Sequence, residues 1–332
     1  MSYNTLNRRE VLKTAAAIAG VFAMPQIATS ATKPMVLTGS GFGTQWRALC
    51  DASTNRTQVA KIITDAIALV DRSMSPYRCD SEIFAVNAAP KGSQFKISPE
   101  MAVVLASAET VTKASDGAFD PGVGPLVNRM GFGPIRGDFV PFREGFGLAG
   151  ERLLKHVDGA TIDLCGIAKG RAVDLIIERL HADGFDNMLV EIGGEYAALG
   201  SHPAGRPWHI AVENPLPGTS NAITVIRPDG RAIATSGHRH QGVDGIIGLS
   251  HIMAPAGGQP ASQEVRSATV IADNAMEADA WSTALAALDA REAVDLAHAN
   301  AIDALILVSA RVDCSLVSAV RTGHFTRHEV QK

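Results

Sequence analysis

Asp279 and Thr283 pair a carboxylate with a hydroxyl four residues apart. In a helix this spacing stacks both oxygens on one side, almost opposite Trp281. Hard oxygen donors suit Mg²⁺, which keeps several waters and takes its other ligands from substrate phosphates. The same pair is also common on a solvated helix face. The spacing alone therefore leaves two interpretations open, a metal site and an exposed surface.

A second segment, residues 163–170 (Asp-Leu-Cys-Gly-Ile-Ala-Lys-Gly), has the pattern of a strand that turns into a helix. The extended part ends at Asp163, and the helix begins near Lys169. The Lys169 amine would then meet an anion where helix N–H groups have no partner. The alternative is a turn that needs its glycines for conformation, with Lys169 in solvent.

Two further segments have features of a ligand site. Residues 115–127 are rich in Gly and Pro, with apolar residues between them. Such a loop could bring backbone amides close to a flat ligand. An ordered loop without a ligand is the alternative. His251 lies in a short apolar stretch predicted as a strand, where a histidine satisfied within the core is the alternative to a functional one.

Composition restricts the class of protein. The chain has 332 residues, 46% of them hydrophobic, and a net charge of −4, which is typical of a globular α/β protein with a full core. No Lys/Arg block is present, which argues against nucleic acid as the partner. The four cysteines lie far apart, and we expect buried thiols in preference to a disulfide. They are Cys50, Cys79, Cys165 and Cys314.

The N-terminus has the pattern of an export signal. Arg8 and Arg9 precede a short, moderately apolar run over residues 14–24, and small residues follow at 28–31. A membrane-spanning helix needs about 20 strongly apolar residues, so we predict a cleaved twin-arginine signal peptide over residues 1–31. An uncleaved N-terminal anchor is the alternative. The expected location is the periplasm, and residues 32–332 are predicted to form one large, two-lobed domain without a membrane span.

Hydrophobic periodicity predicts the elements that position these residues. One helix spans residues 57–71, a second begins at Ser98, a third ends before Gly184, and a fourth begins at Asn274. Strands are predicted at residues 188–192, 208–212, 223–227, 232–235, 268–272 and 304–308. Several consecutive strands have no helix between them, so we expect an α+β fold with mixed sheets. Residues 131–150 are predicted to be the least structured part.

Taken in order, these segments resemble the ApbE family of FAD:protein FMN transferases. The resemblance covers nearly all of the chain after the leader. Its motifs are residues 41–44, Tyr77 with residues 81–83 and Asn87, and residues 116–126, 162–174, 190–194, 208–215, 234–237, 250–252 and 269–288.

The resemblance implies a role for each matching residue. The flavin-binding positions are Phe42, Tyr77, Ala118, Phe119, Asp120, Asp163, Lys169 and Met253. The Mg²⁺ ligands are the Gly166 carbonyl and the side chains of Asp279 and Thr283. His251 is the residue we expect to transfer a proton, and Lys169 the one that neutralises charge on the leaving group.

The implied activity is phosphoryl transfer. FAD is cleaved at its pyrophosphate, FMN is attached through a phosphoester to a Thr or Ser of an acceptor protein, and AMP leaves. With its leader the chain is similar to the NosX-type members of the family, which are accessory proteins of nitrous oxide respiration. Their implied acceptor is a membrane-bound electron-transfer protein such as NosR. An FAD carrier and an FAD pyrophosphatase without transfer activity are the alternatives.

One stretch departs from the family pattern. Where the family commonly reads Ser-His-Ile-x-Asp-Pro-x-Thr-Gly, residues 250–258 read Ser-His-Ile-Met-Ala-Pro-Ala-Gly-Gly. Ala254 thus replaces a carboxylate, and the threonine is also lost. We expect FAD binding to persist if those groups orient the acceptor protein.

Overall fold

The structure is a computed structural model that describes residues 33–216, 219, 221–238, 251–309 and 317–331. The predicted leader, Ser250 and Cys314 lie outside the described residues. Among the described cysteines Cys50 is a buried free thiol, whereas Cys79 and Cys165 are free and exposed. The prediction of buried thiols is therefore wrong for those two.

The helices flank the functional segments predicted above. In chain order they are α1 (Arg56–Met74), α2 (Glu82–Ala88), α3 (Pro99–Ala114), α4 (Gly124–Arg129), α5 (Phe142–Gly145), α6 (Ala168–Ala182), α7 (Ala275–Ala286) and α8 (Ala290–Ala299). Within the described residues, none of them combines the length and apolar character needed to cross a bilayer.

The strands begin close to the N-terminal end of the described chain. In order they are β1 (Met35–Gly41), β2 (Thr44–Cys50), β3 (Gln94–Lys96), β4 (Phe146–Ala149), β5 (Arg152–Lys155), β6 (Met188–Ile192), β7 (Glu195–Leu199), β8 (Ile210–Glu213), β9 (Ala222–Ile226), β10 (Ala232–Gly237), β11 (Met253–Ala254), β12 (Gln259–Pro260), β13 (Val265–Ala272), β14 (Asp303–Ser309) and β15 (Val317–Arg321).

Eight strands form one antiparallel sheet in the order β1-β2-β6-β7-β10-β13-β14-β15. Smaller sheets are β3-β5-β4, β8-β9 and β11-β12. The predicted α+β class is confirmed, and all six predicted strands exist, residues 188–192 with the predicted bounds and the other five with shifted ends. The prediction of little structure at residues 131–150 holds for residues 131–141, which contain no helix or strand, but is wrong for residues 142–149, which form α5 and β4. The predicted strand at His251 is also wrong, because the short strand begins at Met253.

The central strands β13 and β14 are buried on both faces of the large sheet, so they are nearly continuous apolar runs whose side chains point to the two faces in turn. On β13, Val270 packs toward the helices, whereas Ile271 packs toward Trp208 and Phe325 on the other side. Helix α7 packs on β10 and β13, and α6 packs on α7 and α1. The two helices that carry the predicted metal segments are therefore held against the centre of the sheet.

Local sequence sets where the helices begin and end. Ser98 caps α3 through its side chain, with Pro99 at the first position. The Asn274 side chain accepts the N–H of Glu277 at the start of α7. Gly184 has a φ of 83°, the left-handed conformation expected after the end of α6. These three boundaries match the predictions from the sequence.

Candidate active site

A cleft of about 1200 Å³ opens at one end of the large sheet. All twelve predicted site residues line it, although they are spread over most of the chain. They are Phe42, Tyr77, Ala118, Phe119, Asp120, Asp163, Gly166, Lys169, His251, Met253, Asp279 and Thr283. The fold thus brings every predicted position to one place, while the role of each stays a prediction.

Two tight hairpin turns form one wall of the cleft. In the β1–β2 turn, Phe42 and Gly43 have φ values of 52° and 72°, and in the β6–β7 turn Gly193 and Gly194 have 61° and 112°. Two-residue turns of this kind require positive φ, which glycine adopts without strain. Because β2 pairs with β6, the two turns are neighbours. They present the Phe42 ring and the first residue of β7, Glu195, to the cleft.

Helices α6 and α7 meet closely at the floor of the cleft. A Cβ on Gly170 would lie 2.6 Å from the carbonyl carbon of Ala275, so only glycine fits. The Asp174 carboxylate accepts the N–H groups of Ala275 (2.7 Å) and Met276 (2.9 Å), two donors that have no partner within α7. The close contact at Gly170 and the hydrogen bonds to Asp174 together fix the position of α7 against α6.

This junction buries Asp279 beside Lys169. Asp279 is 1% exposed, and its Oδ2 accepts the N–H of Gly170 at 3.0 Å. The Lys169 Nζ lies 3.6 Å from Asp279 Oδ1 and 2.6 Å from Glu195 Oε1. The alternative of a solvated face is therefore wrong for Asp279, and Lys169 contacts carboxylates.

The charges in this group shift one another's pKa values. Burial would lower the pKa of Lys169, but Asp279 and Glu195 raise it above its ordinary value, so the amine stays protonated. Burial raises the pKa of Glu195, and Asp279 adds to the effect while Lys169 opposes it. Burial likewise raises the pKa of Asp279. Two carboxylates thus share one ammonium, and a further positive charge would stabilise the group.

The residues present fit a divalent cation. A Cβ on Gly166 would lie 3.1 Å from the Thr283 Oγ1, so the Gly166 backbone and that hydroxyl are adjacent. Thr283 Oγ1 is also 3.2 Å from the Ser236 hydroxyl. No group of three or more His, Cys, Asp or Glu side chains is gathered for a metal in the described part of the chain. A cation here would depend on one buried carboxylate, a hydroxyl, a carbonyl and water, a donor set that suits Mg²⁺.

The described lining of the cleft carries more acid than base. Its carboxylates are Asp71, Asp120, Asp163, Glu191, Glu195, Glu213 and Asp279, and its permanent cations are Lys169 and Arg266. A diphosphate would meet net repulsion here. A divalent cation would offset it, which is a second reason that the site fits one.

His251 lines the cleft from the segment just before β11. Burial lowers its pKa to about 4, and His238 and Lys169 act in the same direction. Its Nδ1 is buried without a hydrogen-bond partner among the described residues, and its ring meets Phe132 edge-on. At neutral pH the imidazole is neutral and can accept a proton.

Three further flavin-binding predictions fall on the rim and on two loops. Tyr77 is 69% exposed at the edge of the cleft. Asp120 Oδ1 accepts the N–H groups of Gly122 (2.7 Å) and Phe142 (2.9 Å), so this oxygen holds the loop together. Asp163 Oδ1 similarly accepts the N–H of Cys165 at 2.9 Å.

Sequence reasoning missed Glu195 and gave Ser236 no role. Glu195 directly follows Gly193-Gly194, and a carboxylate placed at the first position of a central strand after a tight turn is the signal that could have found it. Ser236 Oγ contacts both Ser282 (2.8 Å) and Thr283 (3.2 Å), which joins the end of β10 to the metal segment.

Comparison with known proteins agrees with this arrangement. The model of the ApbE family matches residues 42–306. The FAD:protein FMN transferase of Vibrio cholerae is 34% identical over 274 residues, 78% of this chain and 81% of that protein. The protein of the same name from Escherichia coli K12 is 31% identical over 315 residues, 88% of this chain and 89% of that one.

Solved structures agree as well. The flavin transferase ApbE from Vibrio cholerae superposes with a TM-score of 0.78 at 30% identity, covering 89% of this chain and 99% of that chain. The apo flavinyl transferase ApbE of Pseudomonas stutzeri gives 0.76 at 31% identity, covering 90% and 98%. The chain belongs to the ApbE family, and it is an enzyme of the transferase class.

Proposed function

We propose that this protein binds FAD in the cleft and, with Mg²⁺ held by Gly166, Asp279 and Thr283, transfers FMN to a Thr or Ser of an acceptor protein and releases AMP. The observation that carries the proposal is the convergence of all twelve predicted positions in one cleft. Family membership and the electrostatics of the floor support it.

The chain's own residues would act as follows. The acceptor oxygen attacks the phosphorus on the FMN side, and the neutral His251 takes its proton. The pyrophosphate P–O bond breaks, and its electron pair leaves with the AMP phosphate, where the protonated Lys169 neutralises charge. When bound, Mg²⁺ supplies further positive charge to the diphosphate oxygens.

The test follows both products. Purified protein is incubated with FAD, Mg²⁺ and an acceptor domain, and AMP is measured beside the flavin bound covalently to the acceptor. We expect equal amounts of the two. A working family member with the same acceptor is the positive control. If the control enzyme attaches flavin to the acceptor and this protein does not, transfer is refuted.

Two other functions follow from Ala254, which leaves the end of β11 without a carboxylate beside the cleft-lining Met253. A carrier would bind FAD and release no AMP. A pyrophosphatase would release AMP and free FMN at the same rate with and without acceptor. The product analysis above separates both from the transferase.

We also propose a periplasmic location, supported by Arg8 and Arg9 and the apolar run that follows. The acceptor would then be the periplasmic flavin-binding part of a membrane-bound electron-transfer protein, as in the NosR case. Cell fractionation tests the location, and Arg8→Lys together with Arg9→Lys should keep the protein in the cytoplasm. Export of that variant would contradict it.

A further inference from the structure

Glu195 is a buried acid whose position is fixed by backbone pairing on both sides. It begins β7, where it pairs with Ile192 of β6 and with Ala234 of β10. Its side chain is 2% exposed. Strand pairing on two sides fixes the Glu195 backbone, and burial restricts its carboxylate.

The Glu195 carboxylate has one side-chain partner among the described residues. Oε1 accepts a hydrogen bond from Lys169 Nζ at 2.6 Å, whereas the buried Oε2 has no hydrogen-bond partner in the described part of the chain. A buried acid without a second partner adds little to stability. Its contact with Lys169 is therefore the feature that needs a reason.

The second carboxylate beside Lys169 suggests that reason. Lys169 Nζ is 3.6 Å from Asp279 Oδ1, while Asp279 Oδ2 is occupied by the Gly170 N–H. Oδ1 is thus the oxygen open to a metal, and the ammonium of a flexible four-carbon side chain is a competitor for it. The two groups already form an ion pair at this distance, and a short shift of the amine would turn it into a direct hydrogen bond that occupies Oδ1.

We propose that Glu195 is a positioning residue that keeps Lys169 from a direct hydrogen bond with Asp279, at 3.6 Å from Oδ1, and so leaves that carboxylate oxygen open to a divalent cation. The inference rests on the proposed function, because it requires the metal site. It assigns Glu195 no contact with FAD or with the reacting atoms.

The test is binding of Mn²⁺ alone to the whole protein, followed by electron paramagnetic resonance. Glu195→Gln keeps the size of the side chain and loses the charge that attracts Lys169. We expect its Kd for Mn²⁺ to rise about 10- to 100-fold, the range found when partners behind a metal ligand are removed. Glu195→Asp, which keeps the charge on a shorter side chain, should fall between.

Lys169→Met separates the proposed role from simple attraction between a carboxylate and a cation. Without the competing amine, Glu195→Gln should change Kd less than about threefold, whereas simple attraction would give the same change in both backgrounds. Equal changes, or none in either background, would overturn the inference.

Two controls complete the experiment. Glu191→Gln removes a carboxylate from the same hairpin and cleft without touching the Lys169 amine, and its Kd should match that of the unaltered protein. Thermal unfolding checks that each variant folds. If the unaltered protein binds no Mn²⁺, the metal part of the proposed function fails and the inference fails with it.

Discussion

The metal side of the cleft, residues 166–170 with 279–283, differs in construction from the His251 side, residues 251–258. The metal side stands on two long helices locked by Gly170 and Asp174. The His251 side stands on a two-residue strand pair, Met253 with Pro260 and Ala254 with Gln259, and one turn of 3-10 helix. Helix packing thus fixes the metal side, whereas the His251 side consists of short elements whose buried Ile252 and Ala261 pack against the end of α7. The departure at Ala254 falls on the side that is built from the shorter elements.

The largest effect is expected from Asp279→Asn on the metal side. The amide oxygen can still accept the Gly170 N–H, but the ligand charge is lost. Metal-dependent transfer should fall at least about 100-fold, beyond the effect of removing a partner behind a ligand. Without metal the free energy of unfolding should not fall, because two buried carboxylates no longer share Lys169. Normal transfer by this variant would remove Asp279 from the metal site.

Gly170→Ala tests whether close helix contact positions the metal side. The added methyl group would collide with the Ala275 backbone and push α7 away from α6. We expect a loss of about 1–3 kcal/mol in the free energy of unfolding, measured in urea, and weaker metal binding. Gly257→Ala on the His251 side is the control, since a Cβ there meets nothing within 4 Å. Equal stability of both variants would contradict the comparison.

Asp174 gives the metal side a pH dependence. Burial raises its pKa from 3.8 to about 6, against the opposing hydrogen bonds from Ala275 and Met276. Between these values the folded protein keeps the proton that the unfolded chain has lost. The contribution of Asp174 to stability is therefore full below about pH 4 and declines by about 2–3 kcal/mol as the pH rises through 6.

Asp174→Asn should remove that decline, as measured by urea unfolding at pH 4 to 7. Glu178→Gln, an exposed position on the same helix, is the control and should keep it. Identical pH profiles of unaltered protein and Asp174→Asn would show that the carboxylate does not titrate in this range.

The smallest effect is expected at the rim. Tyr77→Ala should raise the Kd for FAD about 2- to 10-fold, because an aromatic contact contributes about 0.5–1.5 kcal/mol. Flavin fluorescence titration measures it. Tyr77→Phe should bind nearly as well, and Phe84→Ala, an exposed aromatic that does not line the cleft, should not differ. An unchanged Kd for Tyr77→Ala would remove Tyr77 from the flavin site.

Helix ends were predicted correctly from the sequence where a few neighbouring residues determine them. Ser98, Asn274 and Gly184 mark helix ends through hydrogen bonds and backbone angles that depend on a few neighbouring residues. Spacing also placed Asp279 and Thr283 on one side of a helix. It could not show that this side is buried, because burial depends on Gly170 of a helix about a hundred residues earlier.

Glu195 shows the same limit at the site. Its role depends on Lys169 and Asp279, which approach it only after three separate segments have folded together. Likewise, the exposure of Cys165 depends on the cleft that opens beside it. Pairing across long sequence separations is tertiary information, and local patterns do not carry it.

The most direct test of the central claim measures covalent flavin on an acceptor domain after denaturation, with and without Mg²⁺. The claim is that the metal side supports FMN transfer. It predicts flavin fluorescence on the acceptor with the unaltered protein and Mg²⁺, and none after Mg²⁺ is chelated or with Asp279→Asn. Flavin attachment that persists without divalent cations, or equal attachment by Asp279→Asn, would contradict it.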